Sequence, residues 1–261
     1  MISGRMVVIP SKMEGSFLHR FEIGSFANAQ NDKKNNDTYS FILYNEHMIR
    51  ESDIPVLKKR ALKIIRILRK LFPDARIALN YSNNWELLVA VELSAQCTDK
   101  KVNEVTQMLF RKYRKLDDYV NANPREFEKD IHACGFYRAK TKNILAAARV
   151  IKEKFNGKIP KTMKSMLVIP GVGRKSANVI LGNAYGVTEG IAVDTHVKRL
   201  ARVLGLSYEK TPEKIERDLM RIVPKKEWFA MTYLLIEYGR KYCVARVHDH
   251  KKCPLTSMLQ K

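Results

Sequence analysis

Lys175 and Asp194, nineteen positions apart, are the two side chains of this sequence best placed for covalent chemistry. Lys175 follows a tight Gly-rich turn and falls in the first turn of the helix predicted after it. Positive potential from that helix end and from neighbouring cations favours the neutral, nucleophilic amine. A neutral amine can attack a sugar C1′ and form a Schiff base. The same position also suits plain neutralisation of a phosphate. Asp194 opens Val193-Asp194-Thr195-His196-Val197 at the start of another helix, after an apolar lead-in from Gly190 to Val193. Its carboxylate can cap that helix. It can also stabilise positive charge developing on a sugar and accept a proton from the attacking group. His196 reads as a structural, hydrogen-bonded residue.

The turn that must carry Lys175 is Pro170-Gly171-Val172-Gly173. Its glycines allow a positive φ and close approach of the backbone to a ligand. Leu167, Ile169, Ala177, Val179 and Ile180 are small or apolar anchors for the helices on either side. The second helix begins near Arg174, so its free N–H groups point out of the turn, where an anion binds. This pattern is a helix-hairpin-helix. Gly171, Gly173 and Arg174 are its candidate phosphate contacts.

The charge balance favours a polyanionic partner. The chain has 48 Lys and Arg against 27 Asp and Glu, a net charge of +21. Counterion release and steering draw such a surface to nucleic acid. No stretch approaches the ~18 apolar residues of a membrane span, and no secretory h-region opens the chain. An intracellular, DNA-associated protein is expected. Four cysteines in 261 residues do not make a disulfide scaffold.

Residues 1–50 include an aperiodic polar run from Asn28 to Asp37 and read as a poorly ordered extension or a mis-assigned start ahead of Met48. From Asp53 onward the pattern is helical throughout. An apolar stripe from Leu57 to Phe72 stops at Pro73. Asn83 with Glu86 resembles a capping box opening a helix through Leu93. Val102 to Tyr113 is the next helix, and Asn123-Pro124 and Thr211-Pro212 supply further caps. Thr141 to Phe155 stops at Asn156-Gly157. Trp228 to Tyr238 ends at Gly239, a natural C-cap. No strand is predicted, and the fold class is all-α.

Leu167 to Val179 together with Ala192-Val193-Asp194-Thr195-His196-Val197 resembles the endonuclease III family of DNA glycosylases and AP lyases. Leu93-Ser94-Ala95-Gln96-Cys97-Thr98-Asp99 and Cys134-Gly135-Phe136-Tyr137 add to the likeness, which covers roughly residues 55 to 255. The resemblance implies Schiff-base chemistry at Lys175, assisted by Asp194. The spacing of 19 is one residue longer than expected, with the extra residue in the loop from Gly186 to Gly190. It implies a helix-hairpin-helix glycosylase fold: a six-helix domain at 76–188, and a second helical domain from 51–75 plus 189–254 across a cleft, with a tail at 255–261. It also implies that Gln96 and Phe136 probe the duplex and fill the space left by a flipped nucleotide. The family more often has leucine at position 136; a core aromatic is the other reading of Phe136.

Many family members carry a 4Fe–4S cluster with spacing Cys-x6-Cys-x2-Cys-x5-Cys. The corresponding positions here are Cys243, His250, Cys253 and Leu259, of which only two are cysteine. The expectation is a remnant loop with no cofactor, with zinc on Cys243, His248, His250 and Cys253 as the lesser alternative. The expected partner is double-stranded DNA with a damaged base or abasic site, met by a monomer. The expected activity is removal of oxidised pyrimidines followed by β-elimination. Adenine-specific mismatch repair and a non-catalytic DNA-binding module are the competing readings.

Overall fold

In the computed structural model, residues 49–259 are described; the predicted extension at 1–50 lies outside them save for its last two residues. Twelve α-helices and no strand occur among the described residues. They are α1 (Ile54–Leu71), α2 (Asn84–Leu93), α3 (Asp99–Lys112), α4 (Leu116–Val120), α5 (Pro124–Ile131), α6 (Tyr137–Phe155), α7 (Met163–Met166), α8 (Arg174–Tyr185), α9 (Thr195–Val203), α10 (Pro212–Ile222), α11 (Trp228–Lys241) and α12 (Pro254–Leu259).

Local chemistry sets the helix starts. Asn83 accepts from the Glu86 amide at 2.9 Å, while the Glu86 carboxylate reaches back to the Ser82 amide at 2.6 Å. Asn123 caps α5 and Thr211 caps α10, each followed by proline at the first helical position. Helix α6 ends on Asn156 and Gly157, both at positive φ.

The helices close around two hydrophobic clusters. One gathers α2 to α8 around α2, whose residues from Glu86 to Leu93 are all buried. A helix apolar on every side has to be central. Tyr113, Tyr119 and Phe127 pack edge-on or tilted beside it, with Trp85 5.0 Å from Tyr119. The other cluster joins α1, α9, α10, α11 and α12 through Ile64, Leu68, Leu200, Leu219 and Leu235. Helices α8 and α11 bridge the two: Asn183 donates to the Tyr233 hydroxyl at 2.7 Å.

Two expectations change here. Helix α11 runs through Gly239 to Lys241 rather than ending there. A Cβ at Gly239 would sit 2.6 Å from the His196 Nδ1, so the glycine permits α9 to lie close against α11. The end of the chain, expected as a tail from 255, includes α12, whose Leu255 is fully buried and donates its amide to the Tyr238 hydroxyl.

Candidate active site

The hairpin is built from α7, a turn over 167–173 and α8. Ile169 and Val172 bury into the core and fix the turn from inside. Leu167, expected as an anchor, is instead 47% exposed with Val168 beside it. Only Gly171 needs the left-handed region, at φ +83°, and a Cβ there would strike the Glu92 carboxyl at 2.5 Å. Gly173 has ordinary φ and is the N-cap of α8; a Cβ on it would meet nothing within 4 Å. Among the described residues no side chain caps α8, which leaves its first amides available to an anion. Lys175 is exposed in that first turn.

Asp194 caps α9: its Oδ1 accepts the Val197 amide at 2.8 Å. The lead-in Ile191-Ala192-Val193 is buried, and Thr232 of α11 donates to the Ala192 carbonyl at 3.1 Å. Asp194 is half-buried, and its second oxygen is not needed for the cap. His196 keeps a buried Nδ1 with no hydrogen-bond partner among the described residues, contrary to the hydrogen-bonded role expected.

Arg174 is held by α10. Its Nε donates to Glu216 of α10 at 2.6 Å, and Asn178 donates to the other oxygen of the same carboxylate at 2.9 Å. That hydrogen bond holds the Arg174 guanidinium above its ordinary pKa. Nothing in the local pattern of residues 212–222 marks Glu216, because its partners lie about forty residues earlier.

Gln96 and Phe136 come together on one cavity of ≈ 190 Å³, with Gly171 and Ser176 of the hairpin on its wall. Both are non-glycine residues at positive φ, 53° and 48°. Phe136 is 64% exposed, so it is not a core aromatic. Lys140 ties their loops together. Its buried ammonium donates to the Leu93 carbonyl at 2.8 Å and the Cys134 carbonyl at 2.9 Å. Backbone strain of this kind costs about 1–3 kcal/mol per residue and persists only when surroundings enforce it.

The expectation of no cofactor is corrected. Cys243, His248, His250 and Cys253 place their ligand atoms within 4.8 Å of one another. The Cys243 Sγ lies 3.6 Å from the His250 Nδ1, and the His248 Nε2 lies 3.3 Å from the Cys253 Sγ. Sulfur and nitrogen donors around one tetrahedral ion, at ≈ 2.3 and ~2.05 Å, are about 3.6 Å apart. The His248 Nδ1 donates to the Arg246 carbonyl at 2.8 Å, which leaves Nε2 as the ligating lone pair. These are the four residues that the sequence offered as the lesser, zinc-binding alternative; His248 stands off the cluster spacing, and the 3₁₀ turn His250–Lys252 folds Cys253 back to it. Four thiolates are not on offer. The mixed set fits a single ion, since each thiol has an imidazole as its near neighbour.

The family described as "HhH-GPD superfamily base excision DNA repair protein" matches residues 89–225. Endonuclease III of Synechocystis sp. is 45% identical over 201 residues, covering 77% of this chain and 92% of that protein. Endonuclease III of Bacillus subtilis is 43% identical, covering 72% and 86%. The chain belongs to the endonuclease III family. Two solved structures align over its helices: a non-covalent endonuclease III–DNA complex (TM-score 0.72, 40% identity, 78% of this chain and 99% of that one) and a trapped endonuclease III–DNA covalent intermediate (0.73, 41%, 77% and 94%). As a member of this family the chain is a DNA-binding base-excision glycosylase and AP lyase.

Proposed function

We propose that this endonuclease III homologue removes oxidised pyrimidines from duplex DNA as a monomer, with Lys175 as nucleophile and Asp194 as its partner. The observation that carries the reading is the pairing of two helix starts. An exposed amine sits in the open first turn of α8, and a half-buried carboxylate sits at the cap of α9. Glu216 braces the first of these starts and packs against Gly190, which leads into the second.

Gln96 and Phe136 enter the duplex as a nucleotide leaves it. The Lys175 amine then attacks C1′ as the glycosidic bond breaks, and the bonding pair leaves with the base. A proton from the attacking nitrogen passes to Asp194. Opening of the sugar ring, with a proton taken at O4′, leaves the iminium. Loss of the C2′ proton then expels the 3′ phosphate and cuts the strand. Phosphates flanking the lesion lie at the open amides of α8.

Cys243, His248, His250 and Cys253 hold one zinc ion in this reading. Zinc in such a site is structural: it closes the loop between α11 and α12 and adds to folding stability. Arg199 supports the site from α9, donating to the Cys243 carbonyl at 2.6 Å.

The test is borohydride trapping on duplex DNA with an abasic site. Wild-type protein gives a covalent adduct, and Lys175→Gln gives none while still binding that duplex. Undiminished trapping by the variant removes Lys175 from its role. A panel of duplexes with oxidised pyrimidines, oxidised purines or mispaired adenine then checks the lesion class.

A further inference from the structure

Glu92 is a carboxyl in the wrong place for packing. It stands in the otherwise apolar run Leu87–Leu93 of the most buried helix and is itself only 6% exposed. Its Oε1 has no hydrogen-bond partner among the described residues. Its carboxyl abuts Gly171 of the hairpin and lines the ≈ 190 Å³ cavity whose rim carries Gln96 and Phe136.

No cation answers it among the described residues. Lys140 is the other ionisable side chain on the cavity wall, and its ammonium is spent on the Leu93 and Cys134 carbonyls. The α6 residues Ala139 and Asn143, the hairpin's Gly171 and α8's Ser176 are not ionisable in the neutral range. Burial pushes the Glu92 carboxyl up to about 8, so it keeps its proton at neutral pH. An unpartnered buried carboxyl costs stability. A leucine would fill the same position in α2 without that cost. The O–H therefore has its use in whatever occupies the cavity, and perturbed groups of this kind mark functional sites.

We infer that Glu92 is the general acid that protonates the departing base. This rests on the glycosylase reading above. The cavity borders Ser176, the residue after Lys175, so a base held there leaves its sugar near the amine. As the C1′–N bond breaks, its electron pair moves onto the base. The Glu92 O–H gives its proton to an acceptor on that base, the O2 carbonyl oxygen of a damaged pyrimidine, and the base departs neutral. The Glu92 carboxylate then recovers a proton from water once the cavity opens. The substrate class is a one-ring base with a carbonyl acceptor beside its glycosidic nitrogen. Protonation by Glu92 belongs to base release alone; strand cleavage at a site already lacking its base has no use for it.

The experiment compares full-length wild type with Glu92→Gln, which keeps the shape and a hydrogen-bond donor but has no proton to give. Two single-turnover rates are read: base release from a damaged-pyrimidine duplex, and cleavage of a duplex with a preformed abasic site. Base release falls by roughly 10²-fold or more in the variant, while abasic cleavage stays within about two-fold. Wild-type base release declines as pH rises through about 8, and the variant lacks that limb. Abasic cleavage doubles as the test of folding. Equal loss in both assays overturns the assignment, because Glu92 is then a packing residue. Unchanged base release overturns it as well. A wild type that cleaves neither substrate overturns the broader reading, a failure seen before any variant is made.

Discussion

Glu216 takes the Arg174 guanidinium on one carboxylate oxygen at 2.6 Å and the Asn178 amide on the other at 2.9 Å. Both donors lie in the opening turns of α8, on either side of Lys175. The same carboxylate fills the space next to Gly190, where a Cβ would come within 1.9 Å of it. One buried acid on α10 thus fixes the helix that carries the amine and the loop that leads to Asp194.

Glu216→Ala should therefore weaken both stability and chemistry. Removing one partner of a largely buried pair costs about 3 kcal/mol, less here because the Arg174 side chain is 41% exposed and can turn to water. Thermal unfolding gives the stability loss, and abasic-site cleavage should slow without vanishing. A variant as stable and as fast as wild type would show that the brace is dispensable.

Asp194→Asn separates cap from chemistry. Asparagine caps helices well, so α9 and the melting temperature should be kept. Loss of the charge should slow base release by roughly 10²-fold. Wild-type single-turnover kinetics in this variant would reduce Asp194 to its hydrogen bond with Val197.

The two hairpin glycines should behave differently. At Gly173 a Cβ meets only open space, so Gly173→Ala should leave stability unchanged and weaken binding to duplex DNA regardless of sequence. At Gly171 the positive φ and the Glu92 carboxyl both oppose a side chain, so Gly171→Ala should lower the melting temperature too. Unaltered affinity in Gly173→Ala would exclude close approach of a phosphate to that turn.

Metal analysis of the purified protein should find about one zinc per chain, matching four donors around one ion. Chelation, or Cys253→Ser, should lower the melting temperature and loosen residues 243–259. Several irons per chain with absorbance near 400 nm would instead place a cluster on the two cysteines and two histidines.

Glu92 should also leave its mark on stability. Its pKa is raised from 4.5 to about 8 on folding, so the folded state holds the proton more tightly. Stability from this group is full below pH 4.5 and is lost as pH rises to about 8, by at most roughly 1.4 kcal/mol per unit. Glu92→Gln should flatten that window and be the more stable protein at pH 8. Parallel stability curves for the two proteins would show that the carboxyl ionises freely in the fold.

Short-range signals were legible in the sequence. Asn83, Asn123, Asp194 and Thr211 cap the helices that their neighbours led one to expect, because a cap is made within three residues. Contacts that close only in three dimensions were not. Gly239 looks like a helix stop and is a packing gap for His196. The set Cys243, His248, His250 and Cys253 could be named from the sequence as an alternative, but the convergence of its donor atoms within 4.8 Å shows only in the fold. Glu92 did carry a signal, a lone acid within an apolar helix, but its neighbours Gly171 and Phe136 are more than forty residues away. The left-handed Gln96 and Phe136 had no local marker at all, since neither residue type favours that conformation.

On the proposed reading, in which Gln96 and Phe136 probe the duplex, those two bent residues bear on how quickly the protein can sample it. Folding and the Lys140 clamp set their backbone before any DNA arrives. No loop has to reorganise at each base pair that is tested. The pace of inspection then belongs to sliding along the duplex and to the opening of the base pair, and an intact pair is left behind as soon as it resists.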